Sequence, residues 1–388
     1  MDYSDAHLGA LRGEGDRALD AIVDELAASG EIRAVSKLLR HLVDNDQPVP
    51  AELPEPVAAW LQSTAAVPGW ADLDRLERGA DLVVDHGPQV AMILATASLV
   101  WCYAGYPGVK VLNFSHRLDQ DPYRRVGETA QFVLAVTNPG GMRPGGRAIR
   151  KIQKVRVLHA SIRHLVANSG RWDSDRWGVP ICQEDLVGTM LSFSEIVVRS
   201  LRKVGVRVSD TEAEDYLYLW RVVGEMLGIV PAILPREMSD AVALGDAIAR
   251  RNHQRSEDGV IMTRALLEMH ANTMPGPRFA GLAPALLRHL LGDEICALVD
   301  VPRSPWERAM TLNARLGRAF DFALTAPGLA PLVQMFGASL LNKRAFEMAG
   351  GRSASFAIPI PPEMQRRWSA SGVFTAVDPE SIKPASGE

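Results

Sequence analysis

The stretch from Arg147 to Asn168 can be little other than one long helix, set between the breaker Gly145-Gly146 and the stop Ser169-Gly170. Ile149, Ile152, Val155, Ile162 and Val166 recur at spacings of 3, 3, 7 and 4, which draws one apolar stripe along a helix. A stripe of that length must be buried against other elements, and the rest of the chain offers partners of the same kind. Asp121-Pro122 supplies a capping carboxylate and a first-turn proline for a helix reaching about Val136, where Asn138-Pro-Gly-Gly ends it. Glu184 to Val204 reads as a further helix closed by Gly205, and Ser209-Asp-Thr-Glu caps the next, which runs through Trp220 to Leu227. Helical patterns recur at 18–28, 33–43, 56–62, 70–82, 240–251, 258–272, 283–299 and 306–324. Val109 to Phe114 is the one strand candidate, so the expected fold class is all-α.

A chain of 388 residues, 47% of them apolar, can bury the large core such helices need. Its 42 basic and 46 acidic residues leave a net charge of −4, which argues against a surface built throughout for nucleic acid. Cys102, Cys182 and Cys296 are far apart and form no C-x-x-C, which removes a disulfide scaffold, a thiolate zinc cluster and covalent haem attachment. The opening Met-Asp-Tyr-Ser-Asp has no basic n-region, apolar core or twin arginine, so a cytoplasmic protein is expected. Val90 to Tyr106 is apolar but short and bracketed by Gly87-Pro88 and Gly105-Tyr-Pro107. It reads as a buried central helix and not as a membrane span.

The chain has no G-x-x-x-x-G-K, H-E-x-x-H or G-x-S-x-G. What remains are polar residues on apolar helical faces. His159 fills the gap in the long stripe, four residues after Val155 and three before Ile162, whereas His164 falls off it. Arg156 and Arg163 flank His159 three before and four after. A buried imidazole between two arginines suits a metal or haem-iron ligand with its carboxylates paired. It equally suits a core histidine bonded to a carbonyl, the commoner arrangement. The same helix belongs to a basic island of Arg143, Arg147, Arg150, Lys151, Lys154, Arg156, Arg163 and Arg171. Either an anionic partner or acidic residues from elsewhere in the sequence would satisfy it, and the lack of interleaved aromatics speaks against single-stranded nucleic acid. On the helix after Pro122, Arg125 and Thr129 stack four apart with Glu128 beside them and Phe132 a turn further on. An outward Glu128–Arg124 pair is the plainer alternative for that patch.

These elements come in a familiar order: Arg-x-x-x-Thr at Arg125 and Thr129, then His159-Ala-Ser-Ile-Arg163, Trp172-Asp, and Trp177-Gly-Val-Pro-Ile-Cys-Gln-Glu-Asp-Leu186. Phe193 and Trp220-Arg221 follow. Over roughly Trp60 to Phe346, this resembles the catalytic domain shared by latex clearing proteins (rubber oxygenases) and the membrane-bound oxygenase of mycophenolic acid biosynthesis. The resemblance implies a globin-like helical core with additional N- and C-terminal helices. It also implies a non-covalent b-type haem with His159 as axial iron ligand, Arg125 and Thr129 bordering the haem pocket, and dioxygen as co-substrate. Arg156 and Arg163 become candidates for holding the haem propionates.

One position departs from the pattern. Latex clearing proteins carry a distal lysine just before the motif threonine, and this chain carries Glu128. A carboxyl there is a candidate general acid or base. The expected division is an N-terminal helical extension at 1–55, a haem-binding oxygenase-like domain at 56–350 and a C-terminal tail at 351–388 whose end is disordered. The expected activity is a haem-dependent oxygenation of an apolar small or medium organic substrate and not of rubber, since a cytoplasmic enzyme does not meet polyisoprene. The alternatives are a haem protein without turnover, such as a sensor or carrier, a peroxide-using haem enzyme, or a binder of anionic ligands or nucleic acid using the basic island.

Overall fold

The computed structural model of the chain describes residues 3–114, 122–273, 279–308, 364 and 366, with the backbone alone at 122–125 and 273. Its elements are α1 (Asp5–Arg12), α2 (Arg17–Ser29), α3 (Ile32–Leu39), α4 (Glu55–Ser63) and α5 (Leu73–Ile93). A π-turn (Leu94–Ser98) joins α5 to α6 (Leu99–Ala104), followed by α7 (Gly108–Phe114), α8 (Pro122–Val136) and α9 (Ala148–Ala167). Then come α10 (Ser174–Trp177), α11 (Gln183–Phe193), α12 (Glu195–Lys203) and α13 (Asp210–Met226). The last described helices are α14 (Met238–Asn252), α15 (Glu257–Thr273) and α16 (Leu282–Leu298). The fold is all-helical: among the described residues there is no strand, and one isolated bridge links Gly105 to His253.

Most starts and stops follow local chemistry. The Ser209 hydroxyl accepts from the Glu212 backbone while the Glu212 carboxylate accepts from the Ser209 backbone, a complete capping box for α13. Four segments differ from the sequence expectation. The strand candidate Val109 to Phe114 is helix α7, because no neighbouring strand is there to pair with it and tertiary packing overrides β-propensity. Gly87-Pro88 does not end a helix; α5 passes through it with a kink at His86, whose φ and ψ are −124° and 24°. The expected helix Glu184 to Val204 is two helices broken at Ser194, where φ and ψ are −113° and −82°. Residues 283–299 bend at Gly292, where φ is 86°. The expected helix at 306–324 and the C-terminal tail lie almost wholly outside the described residues.

Helix α5, the π-turn and α6 form the centre, with α13 lying along α5 and α15 against α6. The helix Leu73–Ala104 is long and apolar enough to cross a membrane by length alone, yet 72% of its apolar window is buried inside the protein. That burial matches a core helix. The main core draws on α5, α8, α9, α11 and α13. A second core joins Leu19, Val23, Leu26, Val35, Leu39, Leu53, Val57, Trp60 and Leu61 to Val157 and Ala160 of α9. This core runs across the expected boundary at 55/56, so the N-terminal extension is built onto α9. Helix α9 is thus packed on two sides, and it carries His159.

Candidate active site

His159 lies near the middle of α9, half-buried, with its Nδ1 shut off from solvent. Its phase follows the stripe: Ile152 and Val155, seven and four residues earlier, pack in the main core, and His159 shares their face. Val157 and Ala160 point into the second core instead. His164 is off the stripe, and its Nδ1 lies 2.6 Å from Asp24 at the surface.

Helix α8 packs against α9. Glu128 and Thr129 are half-buried on it, and Phe132, Val133 and Val136 continue from them into the main core. The backbone of Arg125 is in α8, while its side chain, like that of Arg124, lies outside the described residues. Burial lowers the pKa of the Lys151 ammonium, and the Glu128 carboxylate works against that lowering. Lys151 on α9 thus feels the charge of Glu128 on α8, a proximity that periodicity within either helix does not disclose. Behind Phe132 stands an aromatic stack: Phe193 lies on Trp220 at 5.0 Å and 12°, with Phe132 at 6.5 Å and Tyr216 at 6.4 Å from the same ring. Phe193 and Trp220, two separate motif elements, thus meet in one apolar wall.

The two arginines around His159 are engaged elsewhere. Arg156 holds Asp16 through Nε at 2.5 Å and Nη2 at 3.0 Å. Arg163 donates to Asp20 and to the carbonyls of Pro180 at 3.1 Å and Ile181 at 3.0 Å. Within the protein, both guanidinium groups, offered by the sequence as propionate partners, are bonded to aspartates of the N-terminal segment and to backbone carbonyls, which helical phase alone does not disclose. Four more members of the island are engaged in the same way. Arg143 pairs with Asp74 and Glu77, Arg147 with Asp44, and Lys154 donates to the Leu42 carbonyl. Arg150 reaches Gln153 and the Gln47 carbonyl. The island's counterparts are therefore mostly acids and carbonyls of the first 80 residues.

The Trp177–Leu186 motif receives the N-terminal segment. Glu184, fully buried, is held by Arg12 at 2.7 Å and Arg251 at 2.9 Å. Gln183 donates to the carbonyls of Gly15 and Gly228 and accepts from the Val230 backbone. Gly178, with φ of 73°, lets the Arg12 backbone approach to where a Cβ would stand 2.5 Å from its carbonyl oxygen. Two further histidines lie outside this region, His270 buried and His253 half-buried. His270 sits on α15 with Nε2 2.7 Å from the Ala95 carbonyl in the π-turn, and burial pushes its pKa down to about 4. His253 lies edge-on to Trp101 at 4.7 Å, its pKa also lowered by burial to about 4.

Comparison with known proteins agrees with this architecture. Residues 85–322 match the family model for the ER-bound oxygenase mpaB/B'/rubber oxygenase catalytic domain. The chain belongs to that family, an oxygenase family. It is 29% identical over 294 residues to the rubber oxygenase of Streptomyces sp. (strain K30), covering 75% of this chain and 71% of that protein. It is also similar to the structure of latex clearing protein LCP in the closed state, with a TM-score of 0.75 and 25% identity over 90% of this chain and 95% of that one. The protein is accordingly an enzyme of the oxygenase class, with dioxygen as co-substrate.

Proposed function

We propose that this protein is a b-type haem oxygenase acting on a small or medium apolar organic substrate, with His159 as the residue that would hold the iron. The observation that carries the reading is the buried Nδ1 of His159 on the inward face of α9, inside the family-matched region. Haem brings four nitrogens of its own and asks the protein for an imidazole and an apolar slot. A half-buried imidazole beside the Ile152–Val155 face fits that demand. When bound, the group supplies the redox-active iron on which dioxygen chemistry depends.

The chain's own residues do the rest. His159 holds the group from α9. Phe132, Val133, Val136, Phe193 and Trp220 keep water out and favour an apolar substrate. Thr129 offers a hydroxyl that can donate or accept, Arg125 a fixed positive charge, and Glu128 a carboxyl that can give or take a proton at its Oε atoms. Lys151 supplies a cation near that carboxylate.

The test is the ultraviolet–visible spectrum of haem-supplemented protein before and after dithionite, for wild type, His159→Ala and His164→Ala. A Soret band that shifts on reduction, lost in His159→Ala and kept in His164→Ala, is the expected result. A wild type without a Soret band overturns haem dependence, and a band lost in His270→Ala instead moves the ligand to α15. Oxygen uptake with a panel of alkenes, phenols and polyisoprene then tests the substrate class. Turnover of polyisoprene would overturn the non-rubber assignment, and haem binding without any uptake would favour a sensor or carrier.

A further inference from the structure

Asp16, Asp20 and Asp24 fall four residues apart at the start of and along α2, and they meet Arg156, Arg163 and His164 of α9. Several features show that the first two pairs are built in. Asp16 occupies the N-cap position of α2, yet its side chain makes no capping bond; both of its oxygens go to Arg156. It is 6% exposed, so the pair is withdrawn from water and one partner without the other would be costly. Two glycines keep the space open. A Cβ on Gly15 would stand 2.6 Å from Asp20 Oδ2 and 2.9 Å from Arg163 Cδ. One on Gly228 would stand 2.6 Å from Asp16 Oδ2 and 2.8 Å from Arg156 Nε. Arg156 also donates to the Met226 carbonyl, and Arg163 to those of Pro180 and Ile181, so each arginine ties α9 to two other parts of the chain.

The two arginines sit three residues before and four after His159. Ion pairs seven residues apart hold the helix at points about 10 Å from each other along its axis, which resists both rotation and sliding. We infer that Asp16 and Asp20 are positioning residues for His159: through Arg156 and Arg163 they fix the register of α9 and so the placement of the imidazole. The inference rests on His159 as the haem ligand. Both aspartates lie outside the matched region 85–322, so family membership does not assign them this part. The N-terminal segment then belongs to the active-site architecture, as a clamp on the ligand helix from the second core.

The test uses full-length Asp16→Asn and Asp20→Asn, and the charge-reversed double variant Asp16→Arg/Arg156→Asp. Amide hydrogen exchange across 148–167 is measured on haem-free protein, and haem loss to apomyoglobin on loaded protein. Asp16→Asn should raise exchange in 148–167 by about tenfold to a hundredfold and speed haem loss by about tenfold, with the Soret maximum unmoved. The reversed pair should recover part of both. Asp20→Asn, whose carboxylate is more exposed, gives the same signs at smaller size and keeps the question answerable should Asp16→Asn not fold. Faster exchange with unchanged haem loss would make the pairs merely structural and overturn the inference, as would wild-type rates in both aspartate variants. A wild type that takes up no haem removes the reading beneath it, and shows itself before any variant is compared.

Discussion

Helix α15 carries a wholly buried histidine and α9 a half-buried one with its Nδ1 shut off from solvent, and the surroundings of the two differ. His270 on α15 is wholly buried, its Nε2 bonded to the Ala95 carbonyl. A carbonyl only accepts, so Nε2 carries the proton. The π-turn that presents Ala95 also bonds Ser98 to the Ser192 carbonyl and Thr96 to the Met92 carbonyl, so the centre of the molecule is cross-braced there. At α9 the bracing comes from charged pairs around the histidine. Asp16 and Asp20 hold the flanking arginines, while the stripe that includes His159 faces the main core. The difference teaches that a helical protein can fix a histidine in two ways, by a bond to the ring itself or by bonds to the helix that presents it.

The hardest blow to that contrast is Arg163→Leu. Arg163 is 5% exposed and satisfies Asp20 and two carbonyls at once. Leucine leaves all three acceptors without their donor, so a stability loss of about 3 kcal/mol is expected in urea unfolding. The Soret position should not move, because the ligand itself is untouched. A loss below about 1 kcal/mol would put this pair among ordinary surface pairs and undo the distinction.

Glu128→Gln comes next and probes α8, the helix packed against α9. The amide keeps the carboxyl's shape and removes its exchangeable proton. Normal haem content with a roughly hundredfold slower oxygen uptake on the true substrate is expected of a general acid or base. Full activity would return Glu128 to a purely electrostatic partnership with Lys151.

How far all this could be read from the sequence depended on distance along the chain. The capping box at Ser209 and the Pro122 start are local chemistry and were legible, as was the inward phase of His159, which needs only one helix. The kink at His86 is marked by the Gly87-Pro88 that follows it, although the continuation of the helix through it is not, and the break at Ser194 and the π-turn leave no local mark. The arginines show the limit best. Their phase was readable, but Asp16 lies 140 residues before Arg156, and no spacing rule links the two. The four-residue recurrence of Asp16, Asp20 and Asp24 was the available signal, since it marks one face of a helix awaiting cations.

The finest test of the contrast is a pH titration of stability in wild type and His270→Gln. Burial holds the folded pKa of His270 near 4, against about 6.5 in an unfolded chain. Between those values the unfolded state binds a proton that the folded ring refuses, so stability is present above about pH 6.5 and is lost as pH falls toward 4. Each such proton contributes a slope of about 1.4 kcal/mol per pH unit. His253, with its pKa lowered the same way, adds a second slope of the same sign. The Asp20 and Glu195 carboxyls, raised chiefly by burial, act with the opposite sign, but they are present in both proteins and cancel in the difference. Urea unfolding from pH 4 to 7 should therefore give His270→Gln a curve shallower than wild type by about one proton over that window. Parallel curves would mean that His270 takes up its proton in the folded state as readily as in the unfolded one. In that case the π-turn does not lock the ring, and α15 would become as eligible a ligand helix as α9.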